Sequence, residues 1–251
     1  MEKTFPEIVR CGSPSVCHAA ILVMLERVVL EAIDRQGYCT IVLAGGKTPE
    51  PLYRLLATAP LATRIPWRKV YFFFGDERCV SPEHPASNYK MAWDTLLSKL
   101  PITPGQVFRM PVEIRPYSAA AQHYQHSMGE AFAAIASSER PRGEGECPAF
   151  DLILLGMGVD GHTASLFPCH PALSSTEWVT VVEAEGSEPP VPRLTLTLPV
   201  LNNADTVLFL VGGAEKIRVA QSFLAGQPQA RFPASLVRPR HRLLWYLIEN
   251  E

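Results

Sequence analysis

Apolar runs recur along this chain, and each is followed at once by glycine and then by polar residues. Such continuously apolar runs are typical of strands in a parallel sheet that is covered by helices on both faces. The four runs are Tyr38–Ala44, Val70–Phe74, Phe150–Leu155 and Thr206–Val211. The pattern predicts parallel strands whose polar exits gather along one edge of the sheet, where ligands bind in such folds.

Helical signals lie before, between and after these runs. The first predicted helix extends from about Pro14 to Gln36, with Ser13 as its N-cap and Gly37 as its stop. Three further helices are predicted: one that begins at Thr48–Pro49, an alanine-rich one over Ser118–Ser137, and one that begins near Ala214.

Alternating strands and helices predict an α/β fold, a doubly wound, mostly parallel sheet with helices on both faces (Rossmann-like). We expect a single domain over residues 1–251, a length within reach of one α/β unit. The Gly, Pro and charged residues of Arg140–Pro148 predict a mobile surface loop.

Composition narrows the functional classes. Hydrophobic residues make up 47% of the chain and the net charge is −2, with no basic block that would hold a nucleic acid. No window resembles a signal peptide or a membrane helix, so we expect a soluble, cytoplasmic protein without nucleic-acid or membrane partners. The six cysteines form no C-x-x-C pair, and we expect free, mostly buried thiols. The oligomeric state stays open, and a monomer is compatible with the sequence.

The turn Gly45-Gly46-Lys47-Thr48 is the first candidate site, because backbone N–H groups ahead of a helix bind anions. A tight strand-to-helix turn without a ligand is about equally compatible with the glycine pair. Lys47 favours the anion, since a cation beside a helix N-terminus is disfavoured unless an anion lies between them.

Two further cations follow other strand exits. Lys216 lies in the first turn of the helix near Ala214, and Arg78 follows Asp76 and Glu77 after the strand that ends at Phe74. Both could bind a phosphate or carboxylate. The alternatives are a solvated Lys216 partnered by Glu215, and an internal ion pair between Arg78 and Asp76 or Glu77.

Asp160-Gly161-His162 is the sharpest feature, because a histidine can take a proton from water near neutral pH and return it later. Asp160 is expected to orient the loop or to cap a helix that follows. A lone histidine is more often structural, but His162 lies in a glycine-rich strand exit, which favours catalysis. Metal binding is less favoured because His162 has no second ligand at metal spacing. Ser165 lacks the G-x-S-x-G elbow of a serine hydrolase.

Five motifs, taken in order, span nearly the whole chain: LAGGKTPEPLY, FFGDERCVSPEHPASNY, DLILLGMGVDGHTASLFP, PRLTLTLPVLNNA and VGGAEK. In these motifs the sequence resembles the 6-phosphogluconolactonase family, within the larger group that includes glucosamine-6-phosphate deaminases. The resemblance implies hydrolysis of 6-phosphoglucono-δ-lactone to 6-phosphogluconate in the oxidative pentose phosphate pathway, with a sugar-phosphate substrate and no metal or organic cofactor.

By the same resemblance His162 is the general base, and Arg78, Arg193 and Lys216 hold the substrate near Gly45-Gly46. From the residues alone, Arg193 could simply flank a strand. The family often shows SGGSTP where this chain has Ala44 and Lys47, so we do not expect a serine contact to the phosphate from these two positions. Lys47 either replaces that contact or points outward.

Two rival functions stay open. A deaminase on the same fold typically has an acidic residue where this chain has Phe167, and tyrosine where it has Arg78, so both positions favour the lactonase. A non-catalytic sugar-phosphate sensor would keep the same anion-binding residues. The 251 residues show no helix-turn-helix module, however, and the presence of His162 together with Arg78 favours an enzyme.

Overall fold

The computed structural model describes residues 5–135, 147–184, 188–226, 229 and 231–249. Within these ranges the strands are β1 (Pro6–Cys11), β2 (Cys39–Leu43), β3 (Val70–Phe74), β4 (Asp76–Arg78), β5 (Leu152–Leu155), β6 (Val179–Val182), β7 (Arg193–Leu196), β8 (Thr206–Gly212) and β9 (Arg242–Ile248). The helices are α1 (Pro14–Gln36), α2 (Glu50–Leu56), α3 (Leu61–Arg64), α4 (Asn88–Thr95), α5 (Tyr117–Ile135), α6 (Leu198–Asn203) and α7 (Ala214–Leu224).

Six strands form one parallel sheet in the order β1-β9-β8-β5-β2-β3. The four predicted strands are all present, and the predicted α/β fold with a parallel sheet is confirmed. From β2 the chain first adds β3 on one side and later β5, β8 and β9 on the other. The order therefore reverses between β2 and β5, and a crevice for a ligand is expected outside their carboxyl ends.

Side chains from β2, β3, β5, β8 and β9 enter two separate cores. In β2, Val42 packs in a core that includes α5 and α7, whereas Ile41 and Leu43 pack in a second core beneath α1, α2 and α4. Successive strand residues point to opposite faces, so a strand that is apolar at every position is buried on both sides. The continuous apolar runs are explained by this two-sided covering.

Helix α1 begins and ends where its capping residues predict. The Ser13 side chain accepts a hydrogen bond from the Val16 N–H, Pro14 occupies the first turn, and Gly37 adopts a φ of 88° with its N–H bonded to Ile33 O. A left-handed residue at this position closes the last turn, and glycine adopts it without steric cost.

A second, smaller sheet was not predicted. Strands β4, β7 and β6 form an antiparallel sheet in that order, in which Asp76–Arg78 pairs with Arg193–Thr195. The residues after Gly75, expected to belong to a loop, are therefore a short strand, and Arg193 is the first residue of a strand. Strands β1 and β9 were also missed. They extend the parallel sheet beyond β8.

The remaining predictions concern helix bounds, a loop, membrane spans and the thiols. The predicted helix at Thr48–Pro49 begins at Glu50, after a turn. The predicted loop Arg140–Pro148 and the end of the helix over Ser118–Ser137 lie almost wholly outside the described residues. Where the chain is described, no helix is long and apolar enough to cross a membrane. The six cysteines are free thiols, and four of them are buried, as expected.

Candidate active site

A cavity of about 230 Å³ opens at the carboxyl ends of β2, β5 and β8, beside β4 and β7. It brings together eight of the predicted site residues: Gly45, Gly46, Lys47, Thr48, Arg78, His162, Arg193 and Lys216. The ninth, Asp160, is hydrogen bonded to His162. The crevice expected from the reversal in strand order is therefore present, and it is lined by the turns that the sequence analysis identified.

His162 and Asp160 form a close pair at this cavity. The two side chains meet through His162 Nδ1 and Asp160 Oδ1 at 2.6 Å, and Asp160 Oδ1 also accepts the His162 backbone N–H at 3.1 Å. Partial burial opposes the charged form of Asp160, but the hydrogen bonds from His162 outweigh it and lower the pKa of this carboxyl. An ionised Asp160 accepts the proton on Nδ1, so Nε2 is left as the basic nitrogen.

Glycine makes this pairing sterically possible. A Cβ at position 158 would lie 2.6 Å from Asp160 Oδ1 and closer still to the His162 ring. Gly161 adopts a φ of 80°, and a Cβ there would lie 2.7 Å from Phe232 Cδ1. The loop closes on itself through Gly158 N–H to His162 O and Gly161 N–H to Gly158 O, both at 3.0 Å.

The chain after His162 is an irregular, tightly anchored turn. Thr163 and Ser165 are completely buried, and Thr163 Oγ1 donates to Gly156 O at 2.8 Å. Ala164 lies between them with a φ of 47°, which is uncommon for a residue with a Cβ. No α-helix follows here, so the expectation that Asp160 caps a helix is wrong. Asp160 orients the loop instead.

The glycine turn after β2 is held in place by the side chains of Tyr53 and Asn88. The buried Tyr53 hydroxyl accepts from Ala44 N–H and donates to Ala44 O, both at 2.9 Å. Gly46 takes a φ of 90°. The Asn88 side chain packs so closely on Gly45 that a Cβ at Gly45 would overlap its amide. Glycine is thus required at Gly45 by contact with a neighbouring side chain and at Gly46 by backbone conformation.

Two arginines face each other across the small sheet. Arg78 and Arg193 are directly opposed in the β4–β7 register. Burial lowers the pKa of the Arg193 guanidinium, the charge of Arg78 adds to that effect, and the charge of Asp76 opposes it. Like charges opposed across a strand pair repel each other, so an anion bound between them would relieve this repulsion.

The internal ion pair considered for Arg78 does not form. Its guanidinium donates to Ala86 O at 2.9 Å, and its Nε is buried without a partner among the described residues. Glu77 is engaged elsewhere, since it accepts hydrogen bonds from three backbone N–H groups and from the Ser87 hydroxyl. Burial raises the pKa of the Glu77 carboxyl, and these hydrogen bonds oppose the rise. Among the described residues, no carboxylate forms an ion pair with the Arg78 guanidinium.

Lys47 and Lys216 complete the positive lining of the cavity. Lys216 lies in the first turn of α7, whose N-cap Gly213 offers no side chain to its N–H groups. Over the described parts of the chain neither lysine forms an ion pair, so the expected alternative of a Glu215 partner is not seen. Lys47 lines the cavity, although its side chain is largely exposed.

The sequence analysis did not single out Asp76 as a residue of this site. Asp76 lines the cavity, with Asn88 Nδ2 bonded to its Oδ1 at 3.1 Å and the Ser165 hydroxyl bonded to its Oδ2 at 2.6 Å. The only local signal was the position of Asp76 directly after a strand-ending glycine. Among the described residues, no three His, Cys, Asp or Glu side chains are grouped as a metal site would require.

A parallel α/β sheet with a histidine–carboxylate pair and four cations around one cavity defines an enzyme for a small anionic substrate. A family model described as glucosamine-6-phosphate isomerases/6-phosphogluconolactonase matches residues 13–245. This chain belongs to that family.

Individual relatives agree with this assignment. The chain is 41% identical to a 6-phosphogluconolactonase of Synechocystis over 229 residues, which cover 90% of this chain and 88% of the relative. Its structure is similar to the 6-phosphogluconolactonase of Trypanosoma brucei, with a TM-score of 0.80, 31% identity and coverage of 97% and 96% of the two chains. The corresponding enzyme of Thermotoga maritima gives a TM-score of 0.81 at 29% identity, with coverage of 98% and 100%.

Proposed function

We propose that this protein hydrolyses 6-phosphoglucono-δ-lactone to 6-phosphogluconate, with His162 as the base that activates water. The observation that carries the proposal is the His162–Asp160 pair at a cavity whose lining also holds four cations. One end of the cavity can accept a proton and the rest can hold an anion. A phosphorylated lactone needs both. The 6-phosphogluconolactonases among the relatives support the choice of substrate.

The proton transfers follow from the hydrogen bonds of the histidine. With Nδ1–H directed to Asp160, the neutral ring presents Nε2, which makes no hydrogen bond to any described residue. Nε2 takes a proton from water while the water oxygen bonds to the lactone carbonyl carbon. The imidazolium then returns this proton to the ring oxygen as the carbon–oxygen bond breaks, and the open-chain acid is released. Asp160 stabilises the transient imidazolium by its charge.

The cations hold the substrate in place. Arg78, Arg193, Lys47 and Lys216 supply positive charge around the cavity, and the turn at Gly45 supplies backbone N–H groups ahead of α2. Anchoring the distant phosphate places the carbonyl against the base, and such positioning contributes roughly 7–11 kcal/mol in well-oriented reactions. Removing a cation should therefore raise KM or the phosphate dissociation constant more than it lowers kcat.

Phe167 favours this reaction over deamination. Its ring centroid lies 4.8 Å from that of His162 and 5.7 Å from the Arg193 guanidinium carbon. An apolar ring therefore occupies the position where deaminases of this group typically carry an acid. Without that carboxylate, the histidine is paired only with Asp160 among the described residues.

The experiment is a coupled assay with freshly made lactone, corrected for spontaneous hydrolysis and run beside ammonia release from glucosamine 6-phosphate. We expect lactone turnover without ammonia release, and a kcat lowered by about 10²–10⁴ in His162→Ala. The matched control is His126→Ala, which removes an exposed histidine paired with Glu130 at 3.3 Å. Turnover of His162→Ala at the wild-type rate would refute the base assignment, and phosphate binding without turnover in the wild type would identify a sensor.

A further inference from the structure

Ser165 joins the histidine loop to the small sheet through two hydrogen bonds. Its hydroxyl donates to Asp76 Oδ2 at 2.6 Å, and its backbone N–H donates to Thr195 Oγ1 at 3.1 Å. Ser165 and Thr195 are completely buried, and Asp76 is 8% exposed. The hydroxyl therefore has a fixed partner and is not presented to the cavity, which explains why a nucleophilic role does not fit it.

The two residues that accept hydrogen bonds from Ser165 are paired with each other across the small sheet. Asp76 and Thr195 lie directly opposite each other in the β4–β7 register. The next pair on the same face of the sheet is Arg78 and Arg193, because strand side chains alternate between faces. One antiparallel ladder thus carries the anchor of the histidine loop and, two pairs further on, the two arginines of the cavity.

The Asp76 carboxylate is held by hydrogen bonds in this anchor. Its carboxylate accepts from the Asn88 amide and the Ser165 hydroxyl, and it forms no ion pair with a described residue. A short hydrogen bond to a buried carboxylate is directional and stronger than one between neutral groups. It is therefore suited to holding the turn that contains Ser165 at a fixed distance from the ladder.

We infer that Ser165 is a positioning residue: its hydrogen bonds to the Asp76–Thr195 pair set the location of His162 relative to the Arg78–Arg193 pair. This inference rests on the proposed function, since it concerns the distance between the base and the groups that hold the anion. The arginines belong to the ladder itself and keep their places when the Ser165 hydroxyl is removed. The histidine loop loses its side-chain anchor.

The test is Ser165→Ala, measured as kcat, KM and the dissociation constant of inorganic phosphate. We expect kcat to fall by about 10- to 100-fold, because displacement of a reacting group by about 1 Å costs on that order. KM and the phosphate constant should stay within about twofold of wild type. The shape of the pH profile should not change, since the base and its Asp160 partner are the same.

Thr195→Val provides a second, near-isosteric variant that removes the other anchor. It should show the same selective fall in kcat. The double variant should lose less than the product of the two single losses, because both changes release the same turn.

Thr40→Val is the matched control, near the amino end of β2 and so at the opposite end of the parallel strands from the cavity. It also removes a buried hydroxyl that donates to a buried carboxylate, Asp151 Oδ2 at 2.8 Å. We expect Thr40→Val and Ser165→Ala both to lower Tm, and only Ser165→Ala to lower kcat when each is assayed well below its Tm.

The outcomes separate the two proposals. Wild-type kcat in Ser165→Ala, a phosphate constant that weakens in parallel with kcat, or an equal fall of kcat in Thr40→Val would each overturn the positioning role. If the wild-type protein itself fails to turn over the lactone in the same assay, the proposed function is wrong and the inference falls with it.

Discussion

Gly158→Ala is the sharpest test of the histidine–carboxylate pair, because it adds one methyl group without a backbone penalty. Gly158 does not have a positive φ, so alanine can adopt its conformation. The new Cβ would lie 2.6 Å from Asp160 Oδ1, whereas ordinary van der Waals contact begins at 3.4 Å. The carboxylate must therefore retreat by roughly 0.8 Å, and the His162 ring, which is closer still, must move further.

The size of the effect follows from that displacement. Misplacement of a reacting group by about 1 Å costs about 10²-fold in rate, which corresponds to about 2.7 kcal/mol of activation free energy. We expect this loss in kcat, with phosphate binding retained, because the atoms nearest the new methyl group belong to His162 and Asp160 and not to a cation. The assay is lactone hydrolysis corrected for the spontaneous reaction, together with a phosphate titration of the same preparation.

Gly156→Ala is the natural comparison, two residues earlier in the same loop. A Cβ at Gly156 has no protein atom within 4 Å, so the histidine and its partner keep their geometry. We expect Gly156→Ala to retain at least about tenfold more activity than Gly158→Ala. Equal activity of Gly158→Ala and wild type, in folded protein, would refute the reasoning that this pair performs the chemistry.

Three other outcomes follow from the structure. Hydrogen bonding holds the pKa of Asp160 below its usual range, so the ionised carboxylate stabilises the fold above the unfolded value of about 3.9, and this contribution is lost as pH falls through the lower folded value. Asp160→Asn should therefore lower the free energy of unfolding near neutral pH and flatten its decline below about pH 4, as measured by denaturant unfolding across pH. Thiol titration of the native protein at pH 8 should label the exposed Cys169 and not Cys79, because burial raises the pKa of Cys79 to about 12; prompt labelling of Cys79 would contradict the packing. Gly45→Ala should weaken phosphate binding, since the new methyl would overlap the Asn88 amide and displace the turn, and unchanged binding in a phosphate titration would count against a role for that turn.

The parts of the fold that could be predicted are those encoded in neighbouring residues. The apolar run of β2 and the caps of α1 are read locally, and a glycine exit marks where each predicted strand ends. Strand β9 was missed because its apolar run ends at Glu249 and not at glycine. In β1 only Cys11 is fully buried, as suits the edge of a sheet, so β1 shows no continuous apolar run.

The part of the site that could be predicted also depends on signals in neighbouring residues. Strand exits indicated which turns would meet, and eight of the proposed residues line one cavity. The roles of these residues, and the extent of the domain over residues 1–251, stay predictions. The pairing of Arg78 with Arg193 and the contact between Asp76 and Ser165 join distant parts of the chain. No periodicity within a short window can encode such contacts, because they depend on the completed tertiary structure.

The placement of β1 has a consequence for how this protein is made. Among the strands that the structure describes, β1 pairs only with β9, so that Pro6 lies opposite Leu243, and β9 in turn separates β1 from β8. At a ribosomal rate of 5–20 residues per second, the first strand to be synthesised waits roughly 10–50 seconds for its partner. Until Arg242–Ile248 has left the exit tunnel, β1 stays open to chaperones and proteases, and a stop codon ahead of β9 would leave β1 without a partner while β8 keeps its pairing with β5.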